Sequence, residues 1–253
     1  MSFALFFAIF ALKSFFRTTS WLYHARVSSN SHRGRFITFE GLDGTGKSTQ
    51  IEKLAKALRA RGLSVLVTRE PGGTPTGEKI RHVILDSATT ELSSMAEMAL
   101  MFASRAQHIR EVIQPALAEG KIVLCDRFTD STEAYQGAGR KLGTEPVLEL
   151  HRILCGDLQP DLTILMDSDA AASVDRARRR NQKTSKNGRA HKDENRFEQE
   201  SRAFFARVRN GYLAIARREP QRVIVVNARG TPAATQVKIL DIVCNKLRLT
   251  GKV

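Results

Sequence analysis

The sequence predicts an α/β fold of three layers, α/β/α, with a five-stranded parallel sheet between the helices. Three observations carry this. Five short, nearly continuous apolar runs recur along the chain: RFITFE, SVLVTRE, KIVLCD, DLTILMD and QRVIVVNA. Helical stretches separate them, which is the pattern of strands buried on both faces. The 253 residues are 42% hydrophobic, enough for one sizeable domain with a full core. Right-handed crossovers then bring every strand's C-terminal end to one edge of the sheet, and ligands bind along that edge.

The first strand, RFITFE, opens at Arg35 and runs into Gly41-Leu42-Asp43-Gly44-Thr45-Gly46-Lys47-Ser48, a complete GxxxxGK[ST] phosphate loop. Its place between a strand and a helix makes the motif specific. Glycines let backbone N–H groups turn inward on phosphate oxygens, and the helix from about Lys47 adds its positive end. Lys47 supplies a full charge for the β- and γ-phosphates, and Ser48 a hydroxyl for Mg²⁺. The loop, with Thr49 behind it, identifies an ATP-like donor and says nothing of the acceptor. KSTQIEKLAKALRARG is the following helix, with Ile51, Leu54, Ala55 and Leu58 on one face and Gly62 as its stop.

SVLVTRE is the second strand and TGEKIRHVILD a short helix. MAEMALMFASRAQHIREVIQPALAEG reads as a long helix interrupted near Pro115. The third strand, KIVLCD, ends in an acid and a base side by side, Asp126 and Arg127, where Gly, Asn or Pro is usual. A helix carrying Ser131, Tyr135 and Gln136 follows. A surface ion pair is the bland account of Asp126 and Arg127; a charged mouth facing the phosphate loop is the functional one. DLTILMD is the fourth strand. After it come DAAASVDRARRR, a polar basic loop and a helical stretch ending near Arg218. QRVIVVNA is the fifth strand, and a last helix runs from about Thr231 to Leu249.

The net charge of +14 calls for an anionic partner, whether nucleotide, nucleic acid or anionic membrane. Cys125, Cys155 and Cys244 lie far apart with no CxxC, so we read them as reduced and mostly internal, without zinc-ligand spacing. Residues 1–34 stand apart from a domain spanning 35–253. They hold SFALFFAIFAL, too short to span a bilayer comfortably, and then Lys13, Arg17, Arg26 and Arg33, with no acid before Glu40. Two readings stay open: a targeting or membrane-proximal segment, or a translation start further downstream. A cytoplasmic location is expected, or an organellar one if this is a transit segment, and membrane association only if the segment is retained.

FEGLDGTGKSTQ, TREPGGT at 68–74, LMFASRAQ at 100–107 and DRFTDSTEAYQG, in this order, resemble the motifs of the thymidylate kinase family. The likeness spans about residues 35–248. It implies the P-loop NTPase fold with strand order 2-3-1-4-5 and a helical lid. It also implies a homodimer through helices around 91–118 and 131–156. The activity implied is Mg²⁺-dependent transfer of the γ-phosphoryl group of ATP to dTMP, giving dTDP and ADP for dTTP synthesis. Such an acceptor is itself a phosphate, dianionic above a second pKa of ~6, so no general base is needed. The difficulty is bringing two polyanions together, which calls for fixed cations and positioning.

The resemblance gives Arg127 the acceptor phosphate, which a planar fork suits. It puts Asp126 near Mg²⁺ or its waters, opposite Ser48; holding Arg127 in place is its second task. Arg81 is a second phosphate candidate, or a solvated charge; Arg69 is a third, or half of an ion pair. Glu70-Pro71-Gly72-Gly73 shapes the loop over the monophosphate. Phe102 and Arg105, three apart, share a helix face. The resemblance stacks the ring on thymine and points the arginine at O4, where cytosine carries an amino group. Core packing is the alternative for Phe102. Gln136 reads the pyrimidine edge, Tyr135 packs where a 2′-hydroxyl would sit, and Asp43 approaches the 3′-hydroxyl. Ser131 either caps its helix or touches ligand.

From about 176 to 196 the chain carries Arg176, Arg178, Arg179, Arg180, Lys183, Lys186, Arg189, Lys192 and Arg196. Charges this dense repel one another and fit a closing cationic lid. Positions 42–45 hold no arginine, so the resemblance is to bacterial-type members in which the lid supplies the catalytic one; Arg178 and Arg180 are the candidates beside Lys47, Asp43 and Arg127. Asn195 stands where the family pattern has Asp, and NQKTSKNGRAHKDE is longer than that pattern. A kinase for another nucleoside monophosphate is the near rival. A P-loop module binding nucleic acid is the distant one. No specific nucleic acid is expected, because the charge is not strung along a helix with interleaved aromatics.

Overall fold

β1 (Arg35–Glu40) is buried at every position after the first, as a central strand covered on both faces must be. Its side chains alternate: Ile37 and Phe39 face one helical layer, and Phe36, Thr38 and Glu40 the other. The computed structural model describes residues 33–89, 91–186 and 196–248, without the side chains of 170 and 180–186. The N-terminal apolar run, Arg189, Lys192 and Asn195 therefore lie outside the described residues, as does the side chain of Arg180.

The elements after β1 are α1 (Lys47–Ala60), β2 (Val65–Arg69), α2 (Pro75–Leu85), α3 (Ser94–His108) and α4 (Gln114–Ala118). Then come β3 (Ile122–Asp126), α5 (Thr129–Thr132), α6 (Glu145–Cys155), β4 (Leu162–Asp167) and α7 (Ala170–Lys186). A 3₁₀ turn (Arg196–Gln199), α8 (Arg202–Arg218), β5 (Val223–Asn227) and α9 (Pro232–Leu247) complete the order. All strand pairs are parallel, in the order β2-β3-β1-β4-β5 that the resemblance implied. Phe39 and Arg69 both register with Asp126, which gathers the ends of β1, β2 and β3 at one edge.

One face of the sheet packs Ile37, Phe39, Leu124 and Ile164 against Leu54 and Leu58 of α1 and Ile239 and Val243 of α9. On the other face Phe36, Val123 and Phe128 meet Met98, Phe102 and Ile113. Beside them Tyr135, Leu165, Phe204, Val208 and Tyr212 form a third cluster. Thr74, Ser93, Ser201 and Thr231 cap α2, α3, α8 and α9, each hydroxyl accepting a first-turn backbone N–H. α1 differs. Its N-cap is Gly46 at φ 93°, no side chain caps it, and no acid lies in its first turn. That leaves its orphan N–H groups and positive end facing the sheet edge.

Three expectations need adjustment. The interruption expected near Pro115 is a π-helical stretch over Ile109–Ile113, just before the proline. The helix expected over 131–156 is two pieces: α5 continues as π-helix to Gly139, and α6 starts afresh at Glu145 with Pro146 in its first turn. Gly139 is forced there, since a Cβ would lie 2.7 Å from the ring of Phe204 on α8. Helix also reaches further into the basic segment, to Lys186, from a start where Asp169 accepts the N–H of Ala172 at 2.9 Å. Among the described residues no helix is long and apolar enough to cross a membrane.

His151 of α6 is buried behind the β3 mouth, its Nδ1 2.9 Å from Thr129 Oγ1 and its ring edge-on to Phe128. Burial, and then the charge of Arg105, pulls its pKa down to about 4. The unfolded chain therefore binds the extra proton between pH 4 and the ordinary value, so stability rises with pH across that window. The shift corresponds to about 3 kcal/mol. His151→Asn should remove this dependence. Measured by urea denaturation, wild type should lose up to that amount relative to the variant as pH falls from 7 to 4.

Candidate active site

The gathered strand ends open into a cleft lined by Asp43, Lys47, Ser48, Arg69, Glu70, Arg81, Asp126 and Arg127, with Gly44, Gly46 and Thr49. These come from the phosphate loop, the β2 end, α2 and the β3 end, the convergence the sequence motifs predict. Lys47 is buried, and its Nζ donates to the carbonyls of Gly41 and Leu42, 3.0 Å each, with Asp43 Oδ1 at 3.8 Å. Burial, and then Arg127, lowers its pKa. Thr45 Oγ1 ties the loop to the carbonyl of Leu42 at 2.8 Å. Gly44, at φ +78°, lies so close under α7 that a Cβ would sit 2.1 Å from the carbonyl oxygen of Ser173.

Ser48 Oγ donates to Asp126 Oδ2 at 3.0 Å. Asp126 Oδ1 is buried and has no hydrogen-bond partner among the described residues. A hydroxyl and an unspent carboxylate oxygen at the end of a phosphate loop are hard oxygen donors of the kind Mg²⁺ takes. The hold on Arg127 comes from elsewhere, however. Its Nη2 bonds Asp43 Oδ1 at 2.8 Å and Tyr135 Oη at 3.3 Å, and its Nη1 bonds Ser131 Oγ at 3.1 Å and Tyr212 Oη at 3.0 Å. Asp126 bonds Ser48 instead, and Arg127 turns to a left-handed φ of 73° immediately after the strand. Few non-glycine residues adopt that conformation, and it needs outside support.

The support is Glu40, which the sequence reading passed over. This acid is fully buried at the end of β1. Its Oε1 accepts the N–H of Phe128 at 2.7 Å, and its Oε2 accepts the hydroxyls of Ser131 at 2.5 Å and Tyr212 at 3.1 Å. Burial, and then Asp130, pushes its pKa up to about 7. Ser131 thus neither caps its helix nor stands free: it joins Glu40 to Arg127. The one available signal was an acid closing an otherwise apolar central strand, where a buried charge calls for partners.

Arg105 is 2% exposed, with Nε 2.7 Å from Glu70 Oε2 and Nη2 bonded to the carbonyl of Phe128 and to Thr132 Oγ1. Its guanidinium lies 4.9 Å from the Phe102 ring and 5.2 Å from the Phe128 ring. Its Nη1 is buried without a hydrogen-bond partner. Phe102 is wholly internal in this structure. At the cleft floor the Glu70 carboxylate bonds Arg105 and, at 2.9 Å, His108 Nδ1. Burial opposes its charge, but Arg105 and His108 outweigh that and hold the carboxyl low. Glu70, His108 and Cys125 bring potential metal donors within 4.8 Å of one another. Both ring nitrogens of His108 are engaged, by Glu70 and by Thr68, and burial pushes the Cys125 thiol well up, so the trio reads as packed core.

Arg69 pairs with Glu78 at 2.9 Å on the cleft rim, and Arg81 Nη1 bonds the carbonyl of Pro71 at 3.0 Å. Gln136 is buried with its Nε2 on Glu97. In α7, Arg176 Nε reaches the carbonyl of Gly44 at 2.9 Å. Arg178 instead binds the carbonyls of Glu198 and Glu200. Two residues apart on a helix, these arginines face nearly opposite ways, so only one meets the phosphate loop.

A parallel sheet in this order, a phosphate loop between β1 and α1, and an arginine fork across the cleft define a P-loop phosphotransferase. The thymidylate kinase family model matches residues 39–239. The chain is 50% identical over 212 residues to the thymidylate kinase of Trichlorobacter lovleyi, covering 84% of this chain and 98% of that one. It is 46% identical over 214 residues to that of Geobacter sulfurreducens, covering 85% and 98%. The crystal structure of thymidylate kinase from Ehrlichia chaffeensis superposes with a TM-score of 0.66 at 30% identity, covering 83% of this chain and 99% of that one. The chain belongs to the thymidylate kinase family, and it is a nucleoside monophosphate kinase.

Proposed function

We propose that this chain transfers the γ-phosphoryl group of ATP to the phosphate of dTMP, giving dTDP and ADP, with the site residues in the following roles. The observation that carries this is Arg127, a guanidinium fork in the same cleft as the phosphate loop and 2.8 Å from its Asp43. The uncapped start of α1 and Lys47 take the ATP phosphates. Ser48 and Asp126 would hold Mg²⁺, which when bound neutralises charge on the β- and γ-phosphates. Arg127 and Arg81 hold the acceptor phosphate in line, while Asp43 accepts the 3′-hydroxyl of the sugar. Tyr135 fills the place of a 2′-hydroxyl. Arg105 Nη1, a donor with no other task, meets thymine O4. Phe102 lies beneath that guanidinium and supports it through its ring face. Arg176 fixes the loop from the lid side, and Arg178 and Arg180 remain candidates for the transferring group once the lid closes.

The kinase would act as a homodimer through α3 and α6, which pack on each other. Supporting this, Leu148, Ile153 and Leu154 of α6 are 40%, 58% and 43% exposed, and Met95 of α3 is 53% exposed.

The test is ADP release from Mg²⁺-ATP with dTMP, dUMP, ribosyl-TMP, UMP, dCMP and dGMP. A strong preference for dTMP is expected. Equal turnover of ribose and deoxyribose acceptors would remove Tyr135 from the sugar-reading role. If protein that binds ATP turned over none of them, the proposal would fail in favour of a nucleic-acid-binding P-loop module.

A further inference from the structure

Glu97 of α3 is 1% exposed and takes four hydrogen bonds. Its Oε1 accepts Gln136 Nε2 at 2.7 Å and Arg140 Nε at 3.2 Å; its Oε2 accepts Arg140 Nη2 at 3.1 Å and Arg196 Nη2 at 2.6 Å. Two carboxylate oxygens have about four acceptor positions, and all are filled by donors. A carboxylate accepts and cannot donate. The side-chain amide of Gln136 therefore has only one way round, with its NH₂ on Glu97 and its carbonyl oxygen turned away. That oxygen has no hydrogen-bond partner among the described residues. One helical turn earlier, Thr132 holds Arg105, whose Nη1 is a buried donor with nothing to bind.

We propose that Glu97 is a specificity-determining residue, which fixes Gln136 as a hydrogen-bond acceptor and so selects 4-oxo pyrimidines over 4-amino pyrimidines. This rests on the base reading given above. A thymine edge offers the O4 acceptor and the N3–H donor, the complement of the Arg105 donor and the Gln136 acceptor. A cytosine edge offers an amino donor and the N3 acceptor, which mismatches both. Burying an unmatched polar pair is what lets a site reject a near-isosteric ligand. Phe102, wholly internal beneath the Arg105 guanidinium, and Tyr135, at the sugar, do not distinguish these two edges. Arg196 and Arg140, which also bonds Glu200, tie the same carboxylate to the segment that follows the lid. The residue holding Gln136 is thus itself held from two sides.

The test compares kcat/KM for dTMP and dCMP in the full chain and in Glu97→Gln, Gln136→Leu and the double variant. In Glu97→Gln the new amide can present NH₂ to Gln136, whose own amide then rotates and offers a donor to the base. The dTMP value should fall and the dCMP value rise, lowering their ratio by about tenfold or more, with the KM for ATP unchanged. Gln136→Leu should lower the ratio by reducing dTMP use alone, and adding Glu97→Gln to it should change the ratio no further. Should Glu97→Gln not fold, Glu97→Asp keeps the charge for both arginines, withdraws the oxygen from Gln136 and should lower the same ratio. An unchanged ratio in Gln136→Leu would overturn the base reading itself. A lowered ratio there, with folded Glu97 variants unchanged or slowed equally on both nucleotides, would overturn the role of Glu97 and leave the base reading standing.

Discussion

Lys47→Ala is expected to lower kcat with ATP and dTMP by about a thousandfold or more while the protein still unfolds in one cooperative transition. Lys47 is the buried cation of the phosphate loop, held by the Gly41 and Leu42 carbonyls. Burial and the neighbouring Arg127 lower its pKa, so part of its charge is held against a cost. Anionic phosphates repay that cost, most fully where negative charge gathers on the transferring group. Removing the ammonium group leaves two loop carbonyls without their shared donor, a loss of about 1–3 kcal/mol that a core of this size tolerates. The measurement is steady-state kinetics beside thermal unfolding. A variant retaining near-normal kcat would remove Lys47 from the transfer.

Arg105→Met should have the largest effect on stability. The Arg105–Glu70 pair is buried on both sides, at 2%/3% side-chain exposure and 2.7 Å. Breaking such a pair by removing one partner costs about 3–5 kcal/mol, since the other charge stays buried. For a domain of this length the melting temperature should fall by roughly 10 °C or more. Adding Glu70→Gln should recover much of the loss, because the stranded charge goes with it. A fall of only a degree or two, or no recovery in the double variant, would show that the pair contributes little. This structural weight bears on the base-reading role. A weakened dTMP affinity in Arg105→Met counts for that role only at temperatures where the variant is fully folded.

The fold was largely legible because its two strongest signals are local. Apolar runs bounded by helices gave five strands within a residue or two, and the glycine spacing of 41–48 gave the phosphate loop. The single helix expected over 131–156 was less legible. It breaks where Gly139 must admit Phe204, a contact 65 positions away that no local pattern encodes. The cleft residues Lys47, Ser48, Arg81, Asp126 and Arg127 were readable from motif and position. Their supports were not. Tyr212 and Glu97 act across helices distant in sequence, and each alone resembles an ordinary surface residue; Glu40 showed only as an acid closing an apolar strand, and Arg176 only as one charge in a dense run. For Arg178 the sequence shows a dense run of charge but not its bond to the carbonyl of Glu198.

The place of β1 at the centre of the sheet has a consequence for how the protein is made. β1 hydrogen-bonds to β3 and β4, and the side chains of Thr38 and Thr163 meet across 125 residues of chain. The strand that carries the phosphate loop thus leaves the ribosome before either neighbour and must wait for the second of them. At ordinary rates of synthesis that wait is on the order of ten seconds, with Phe36, Ile37 and Phe39 lacking their final cover. Pairings between such distant segments are slow to form and open to aggregation meanwhile. The nascent chain therefore depends on whatever shields that apolar strand until β4 emerges.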